Sequence, residues 1–328
     1  MLYRCFWICA TLLLAGPRAW GAEQPIQLTT PTGVIQGTLT TPEHAGPVPV
    51  ALIIAGSGPT DRDGNSSLLK GPNNSLQQLA LALSEQGVAS VRYDKRGVGG
   101  SRDALHDRDS LRLEDYVSDA AAWVSQLAQD PRFSRVVVLG HSEGAMIGLL
   151  ATERSPADGY ISLAGTSQRA SDLLRRQLLG HLPPELADKN EAILATLESG
   201  QTTADVPTSL LALYSPHSQR YLISWFGYSP VAEVAKLSRP CMIVQGSTDI
   251  QIRVADAEAL HQANPGCTLK VIDGMNHVLK VVPAQRALQL ASYSDPALPL
   301  APELVRAIAT WLAASQAQPV TPAMPRQH

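Results

Sequence analysis

The chain reads as an α/β fold, a mostly parallel central sheet flanked by helices, with a helical insertion late in the sequence. Three observations predict it. Apolar runs of strand length alternate with segments of helical period. Those runs are continuously apolar, as strands covered on both faces must be. The alternation stops over one long block and then resumes. The 328 residues, 45% apolar and 17% charged, suffice for one such domain with an insertion. The same composition excludes low-complexity disorder. A formal charge of -3 offers no basic footprint for a phosphate backbone, so nucleic acid is not an expected partner.

Residues 1–21 precede the fold. Arg4, the apolar run Cys5 to Ala15 and the small-residue pattern Ala19-Trp20-Gly21 form a secretory-signal layout, with cleavage expected after Gly21 or Ala22. The apolar run is shorter than the ~20 residues that span a bilayer, so a cleaved signal is favoured over an anchor. No later segment is long and apolar enough to span, so the exported chain, periplasmic or secreted, is expected to make no stable membrane insertion. Loss of Arg4 and Arg18 leaves 24 Lys and Arg against 29 Asp and Glu, a charge of -5. Cys5 and Cys9 leave with the signal. Cys241 and Cys267 remain at the starts of two expected neighbouring strands, where they can form a disulfide or stay as buried thiols. No CxxC or HExxH occurs and the eight His are scattered, so no metal site is expected.

The elements follow in order. Ile26 to Leu28 and Val34 to Thr40, around Pro31-Thr32-Gly33, read as a hairpin. Pro49 to Ala55 reads as a buried strand ending on Gly56-Ser57-Gly58. Ser75 to Gln86 has helical spacing, with Ser75 as cap and Gly87 as stop. Val88 to Tyr93 is a strand leading into Asp94-Lys95-Arg96-Gly97, and Leu111 to Gln129 a helix ending before Pro131. Arg135 to Leu139 is a β-branched strand that runs directly into Gly140-His141-Ser142-Glu143-Gly144 and the helical Ala145 to Glu153. Tyr160 to Ala164 is a strand. Residues 166–238 form the expected helical cap between core segments 22–165 and 239–315. The core resumes with strands Cys241 to Gln245 and Thr268 to Ile272, a helix around Ala255 to Gln262, and a last helix near Glu303 to Ala314. Residues 316–328 read as a flexible tail.

Gly140-His-Ser-Glu-Gly144 matches G-x-S-x-G in the context that gives the motif meaning, between a strand and a helix. A sharp strand-to-helix turn lifts the serine hydroxyl clear of the sheet, and the flanking glycines allow the backbone to crowd there. Ser142 is therefore the expected nucleophile. A serine needs a base and a carboxylate, in the chain order Ser, Asp, His. Asp249 and His277 follow the last two strands and fall at their carboxyl ends, where open α/β sheets place their sites. Asp249 also suits a turn or helix cap, and His277 a solvated loop; Asp256 lies inside a helix, and Asp273 is too close to the histidine. Two backbone donors complete an oxyanion hole: the N–H of Glu143, after the nucleophile, and that of Ser57, in a glycine-flanked loop that also suits a tight turn.

With these residues in view, the chain resembles the α/β-hydrolases. The stretches Gly56-Ser-Gly-Pro-Thr-Asp-Arg-Asp-Gly64, Arg92-Tyr-Asp-Lys-Arg-Gly97 and Gly274-Met-Asn-His277 resemble a bacterial group of serine carboxylesterases. The resemblance implies hydrolysis of short or medium acyl esters, small-molecule substrates, without a cofactor, under a helical cap between the sixth and seventh strands. By position it carries the triad onto Ser142, Asp249 and His277 and the oxyanion donors onto Ser57 and Glu143. One departure is Ala55-Gly56 where the group has His-Gly. An amidase, peptidase or acyltransferase would use the same residues, and a non-catalytic binding protein could keep the fold. Asp94 and Arg96 are expected to pair and brace the loops, with Asp61-Arg62-Asp63 helping or lining the mouth. Trp225 and Phe226 are expected either to line an acyl pocket or to pack within the insertion.

Overall fold

A computed structural model describes residues 22–44 and 46–315; the expected signal at 1–21 and tail at 316–328 lie outside the described residues. Eight strands form one sheet: β1 (Ala22–Thr30), β2 (Gly33–Thr41), β3 (Val48–Ile54), β4 (Ala89–Tyr93), β5 (Phe133–His141), β6 (Gly159–Leu163), β7 (Cys241–Gly246) and β8 (Thr268–Ile272). Their order is β1-β2-β4-β3-β5-β6-β7-β8. The β1–β2 hairpin is antiparallel and β2 runs antiparallel to β4, while every pairing from β4 across to β8 is parallel. The chain passes from β3 to β4 on one side and then returns to β5 on the other. Strand order reverses there, and open α/β sheets bind ligands at the carboxyl ends beside such a reversal.

The alternation of side chains along a strand divides the core into two layers. Val50, Leu52 and Ile54 of β3, with Val136 and Val138 of β5, pack against α2 (Leu113–Ala128) and α3 (Glu143–Glu153). Ala51, Ile53, Val137 and Leu139 face the opposite layer, α1 (Ser75–Ser84) and the last helix, Pro302–Ser315. Helix α3 is buried over nearly its whole surface, so its apolar run needs no polar stripe. The cap of α1 differs from expectation. Asn73 Oδ1, not Ser75, supplies the acceptor, taking the Ser75 N–H at 2.9 Å, and Asn74 precedes the first turn at φ 52°.

Between β6 and β7 lie α4 (Ala170–Leu178), α5 (Pro184–Glu198), α6 (Leu211–Tyr214), α7 (Pro216–Phe226) and α8 (Pro230–Val234). Ile193, Leu194, Leu197, Tyr214, Leu222 and Phe226 give this block an apolar centre of its own. Its end behaves differently: Val234 and Leu237 join the layer of α2 and α3. Polar contacts tie α7 to the core. Ser224 Oγ accepts from the Leu113 N–H at 2.8 Å, and Tyr228, just beyond α7, donates to Glu114 at 3.0 Å. After β7 come α9 (Val254–Ala263), then a short α10 (Arg286–Ser292) that the apolar period does not announce, and α11 (Pro302–Ser315). Cys241 and Cys267 are joined as a disulfide, Cα atoms 4.5 Å apart, at the amino ends of β7 and β8.

Candidate active site

β5 ends at His141 and α3 begins at Glu143, which leaves a single residue for the turn. Ser142 takes φ 55° and ψ −119° there. A non-glycine residue so placed costs on the order of 1–3 kcal/mol and persists only when its surroundings over-determine it. They do. A Cβ on Gly140 would stand 2.1 Å from the Gly144 carbonyl oxygen, and one on Gly144 would stand 2.4 Å from the Ile54 oxygen. The motif's glycines are thus set by three backbones meeting. Ser142 N–H donates to Leu163 O at 2.9 Å, which fixes the turn to β6.

The loops after β7 and β8 bring Asp249 and His277 together. His277 Nδ1 lies 2.8 Å from Asp249 Oδ2. Oδ1 of the same carboxylate accepts from Gln251 and Ile252 N–H groups at 2.7 and 3.0 Å, and Gln245 Nε2 donates to Oδ2 at 3.1 Å. Burial pushes the Asp249 carboxyl upward, but the His277 charge and hydrogen bond and the two backbone donors outweigh it and hold the group below its ordinary value. It is therefore an ionised acceptor that orients the Nδ1–H tautomer of His277. Among the described residues no hydrogen bond joins Ser142 Oγ to His277. The elbow and the His277 loop are tied by His141, whose Nε2–H donates to the His277 carbonyl at 2.8 Å and whose ring centre lies 4.9 Å from that of His277. Burial, and secondarily the His277 charge, push the His141 imidazole down to about 4. It packs against the His277 ring and donates to the His277 carbonyl.

Gly56 presses against the turn: a Cβ there would come within 3.2 Å of Ser142 Cβ. The adjoining Ser57 is exposed, and among the described residues its N–H has no intramolecular acceptor. As the first residue of α3, Glu143 has an N–H with no intrahelical acceptor, at the positive end of the helix dipole. The two expected oxyanion donors therefore flank the serine. Sequence reasoning missed what lies behind them. Lys95, 1% exposed, donates to Glu143 Oε2 at 2.6 Å and to the Gly56 carbonyl at 2.7 Å, and Tyr221 of α7 donates to Glu143 Oε1 at 2.7 Å.

A narrow, mainly apolar cavity runs from Ser142 past Met146 and Leu149 of α3 to Ile243, Leu260 and Trp225. Trp225 lines it. Phe226 does not: it is 4% exposed within the insertion's own apolar centre, because the residue next to Trp225 on a helix faces another way. The expected Asp94–Arg96 pair is also corrected. Asp94 is taken by Arg62 at 2.7 Å, with the Arg62 and Gly100 N–H groups at 2.8 Å each, while Arg96 reaches Asp119 of α2 at 2.5 Å. Asp94 and Arg96 both lie past the end of β4, in a loop where the alternation of strand side chains no longer holds, and each finds its own partner there. Asp256 caps α9 and pairs with Arg176 of the insertion at 2.8 Å, and Asp273 accepts from Ser247. Among the described residues no group of three or more His, Cys, Asp or Glu is placed to hold a metal ion.

This geometry can be set beside known proteins. Esterase Est1E from Butyrivibrio proteoclasticus superposes with a TM-score of 0.56 over 90% of this chain and 99% of that one, at 17% identity. The Pyrococcus furiosus esterase Pf2001 superposes with a TM-score of 0.57 over 90% and 91%, at 13% identity. The chain has the α/β-hydrolase fold. Within that fold, residues 73–205 match the Hydrolase_4 family, described as serine aminopeptidase, S33. The curated Esterase EstD of Thermotoga maritima is 29% identical over 249 residues, 75% of this chain. The chain spans 58% of the length of that esterase.

Proposed function

We propose that this α/β-hydrolase-fold protein is an exported serine carboxylesterase acting on short to medium acyl esters. One observation carries the reading: Ser142, held at a strained strand-to-helix turn, shares an edge of the sheet with a buried Asp249–His277 pair at 2.8 Å. His277, oriented by Asp249, removes the Ser142 proton as Oγ attacks the ester carbonyl. The Ser57 and Glu143 N–H groups receive the charge that develops on the carbonyl oxygen. His277 then protonates the leaving alcohol, and a water activated by the same imidazole releases the acid. The likeness to an esterase from Thermotoga maritima supports the choice of ester, and the Cys241–Cys267 disulfide supports an oxidising compartment.

The test is covalent labelling with an organophosphonate beside a panel of p-nitrophenyl esters. Native protein is expected to be labelled and to hydrolyse the esters, and Ser142→Ala to do neither. Equal labelling of Ser142→Ala would place the chemistry elsewhere. The match of residues 73–205 to a serine aminopeptidase family favours a second reading, hydrolysis of amide bonds by the same groups. Aminoacyl anilides in the same panel separate the two, because a carboxylesterase turns over the esters far faster.

A further inference from the structure

Lys95 lies just past the carboxyl end of β4 and is buried, so its ammonium must find its partners inside the protein. It has Glu143 Oε2 at 2.6 Å, the Gly56 carbonyl at 2.7 Å, and the face of Tyr116 5.0 Å below it. Removing such a pair from water is costly, and apolar residues of equal volume would stabilise the fold as well or better. An ion pair retained directly behind the serine calls for a reason other than stability.

The peptide plane supplies one. The Gly56 carbonyl and the Ser57 N–H belong to a single peptide unit, trans like every other among the described residues, so they point in opposite directions. An ammonium that holds the Gly56 oxygen on the buried side therefore turns the Ser57 N–H outward, to the exposed side where Ser57 lies. A hydrogen bond to the carbonyl also polarises the unit and strengthens its N–H as a donor. Glu143, whose own N–H is the second donor, grips Lys95 with one carboxylate oxygen and accepts from Tyr221 with the other at 2.7 Å. Burial, and then the Glu143 charge, keep the Tyr221 phenol well above its ordinary value, so it remains a donor. Its ring packs edge-on against Tyr116, centres 5.5 Å apart.

We propose that Lys95 is the positioning residue of the oxyanion hole, fixing the Ser57 N–H through the Gly56 carbonyl, with Glu143 and the insertion's Tyr221 holding Lys95 in place. This rests on the esterase reading of Ser142. Lys95 touches no reacting atom; it acts on the donor.

The experiment compares native protein, Lys95→Met and Tyr221→Phe by kcat, by KM, and by affinity for a trifluoromethyl ketone, whose serine adduct places an oxyanion in the same hole. Lys95→Met is expected to lose about 10²-fold in kcat, the scale of one oxyanion donor, with KM little changed and inhibitor affinity falling in parallel. Tyr221→Phe, which keeps the ring packing, is expected to lose several-fold in kcat by the same pattern. Unchanged kcat in folded Lys95→Met, or lost kcat with undiminished inhibitor affinity, overturns the inference. Should Lys95→Met not fold, Tyr221→Phe decides, and native kcat in that variant overturns it. Native protein without Ser142-dependent ester hydrolysis overturns the esterase reading first and this inference with it; native protein with that activity leaves the Lys95 result to stand or fall alone.

Discussion

His141 shows how a side chain beside the proposed nucleophile can matter through packing and protonation. Its imidazole is buried between the elbow and the His277 loop, and its Nε2–H is committed to the His277 carbonyl at 2.8 Å. Burial lowers its titration from the ordinary 6.5 to about 4. The unfolded chain therefore accepts a proton that the folded chain refuses. Stability from this residue is complete above pH 6.5 and is lost as pH falls from 6.5 toward about 4, a decline on the order of 3 kcal/mol. Asp249, also lowered, contributes in a separate window, its stability lost only as pH falls below the ordinary carboxylate value of 3.8. Urea unfolding of native protein and His141→Gln between pH 7 and 4 is expected to show a flatter pH dependence in the variant. Equal slopes would remove His141 as the source. The glycines around this residue were legible because they fall in one five-residue pattern between a strand and a helix, although Gly144 meets the distant backbone of Ile54, whereas the partners of Lys95 and Tyr221 stand 39 to 78 residues away and no spacing rule reports them.

Among the elements, the last two strands share one task at each end. At their carboxyl ends, β7 and β8 deliver Asp249 and His277; at their amino ends, Cys241 and Cys267 bond them together. Both halves of this were open to sequence reasoning, since strand boundaries within a residue or so suffice to say which end a neighbouring residue occupies. What remained open was whether the cysteines pair, because only the distance between β7 and β8, Cα to Cα 4.5 Å, decides that. A cross-link closing 26 residues restrains the unfolded chain by about 3 kcal/mol in the loop-entropy account. The Cys241→Ser, Cys267→Ser double variant is expected to unfold at lower urea by roughly that free energy while keeping kcat at room temperature, since the bond lies a strand length from the site. A stability unchanged by reduction or substitution would mean that packing alone sets the β7–β8 register.

At the level of the whole molecule, the insertion is joined to the core through the site itself. Its α7 carries Tyr221 to Glu143 and Trp225 to the cavity beside Ser142, and its end, through Val234, closes the same cavity against Leu260 of α9. The order of elements and the place of the insertion were readable because they follow from apolar rhythm along the chain. Which aromatic of the Trp225-Phe226 pair faces the site was not, because that depends on how α7 is rotated against α2 and α3, a packing outcome with no local signature. On the proposed esterase reading, acyl length is expected to be set at a junction, with Met146, Leu149 and Ile243 of the core forming one wall of the cavity and Trp225 of the insertion the other. Removing the indole opens the far end without touching Ser142, Asp249, His277 or either oxyanion donor. Trp225→Ala is therefore expected to move the optimum of a p-nitrophenyl ester series toward longer acyl chains, by lowering KM for long esters and raising it for short ones. The phosphonate labelling rate should stay near native, since the reacting groups are unchanged. An unmoved optimum would mean that the acyl chain leaves Ser142 by another route and that this cavity takes no part in choosing the substrate.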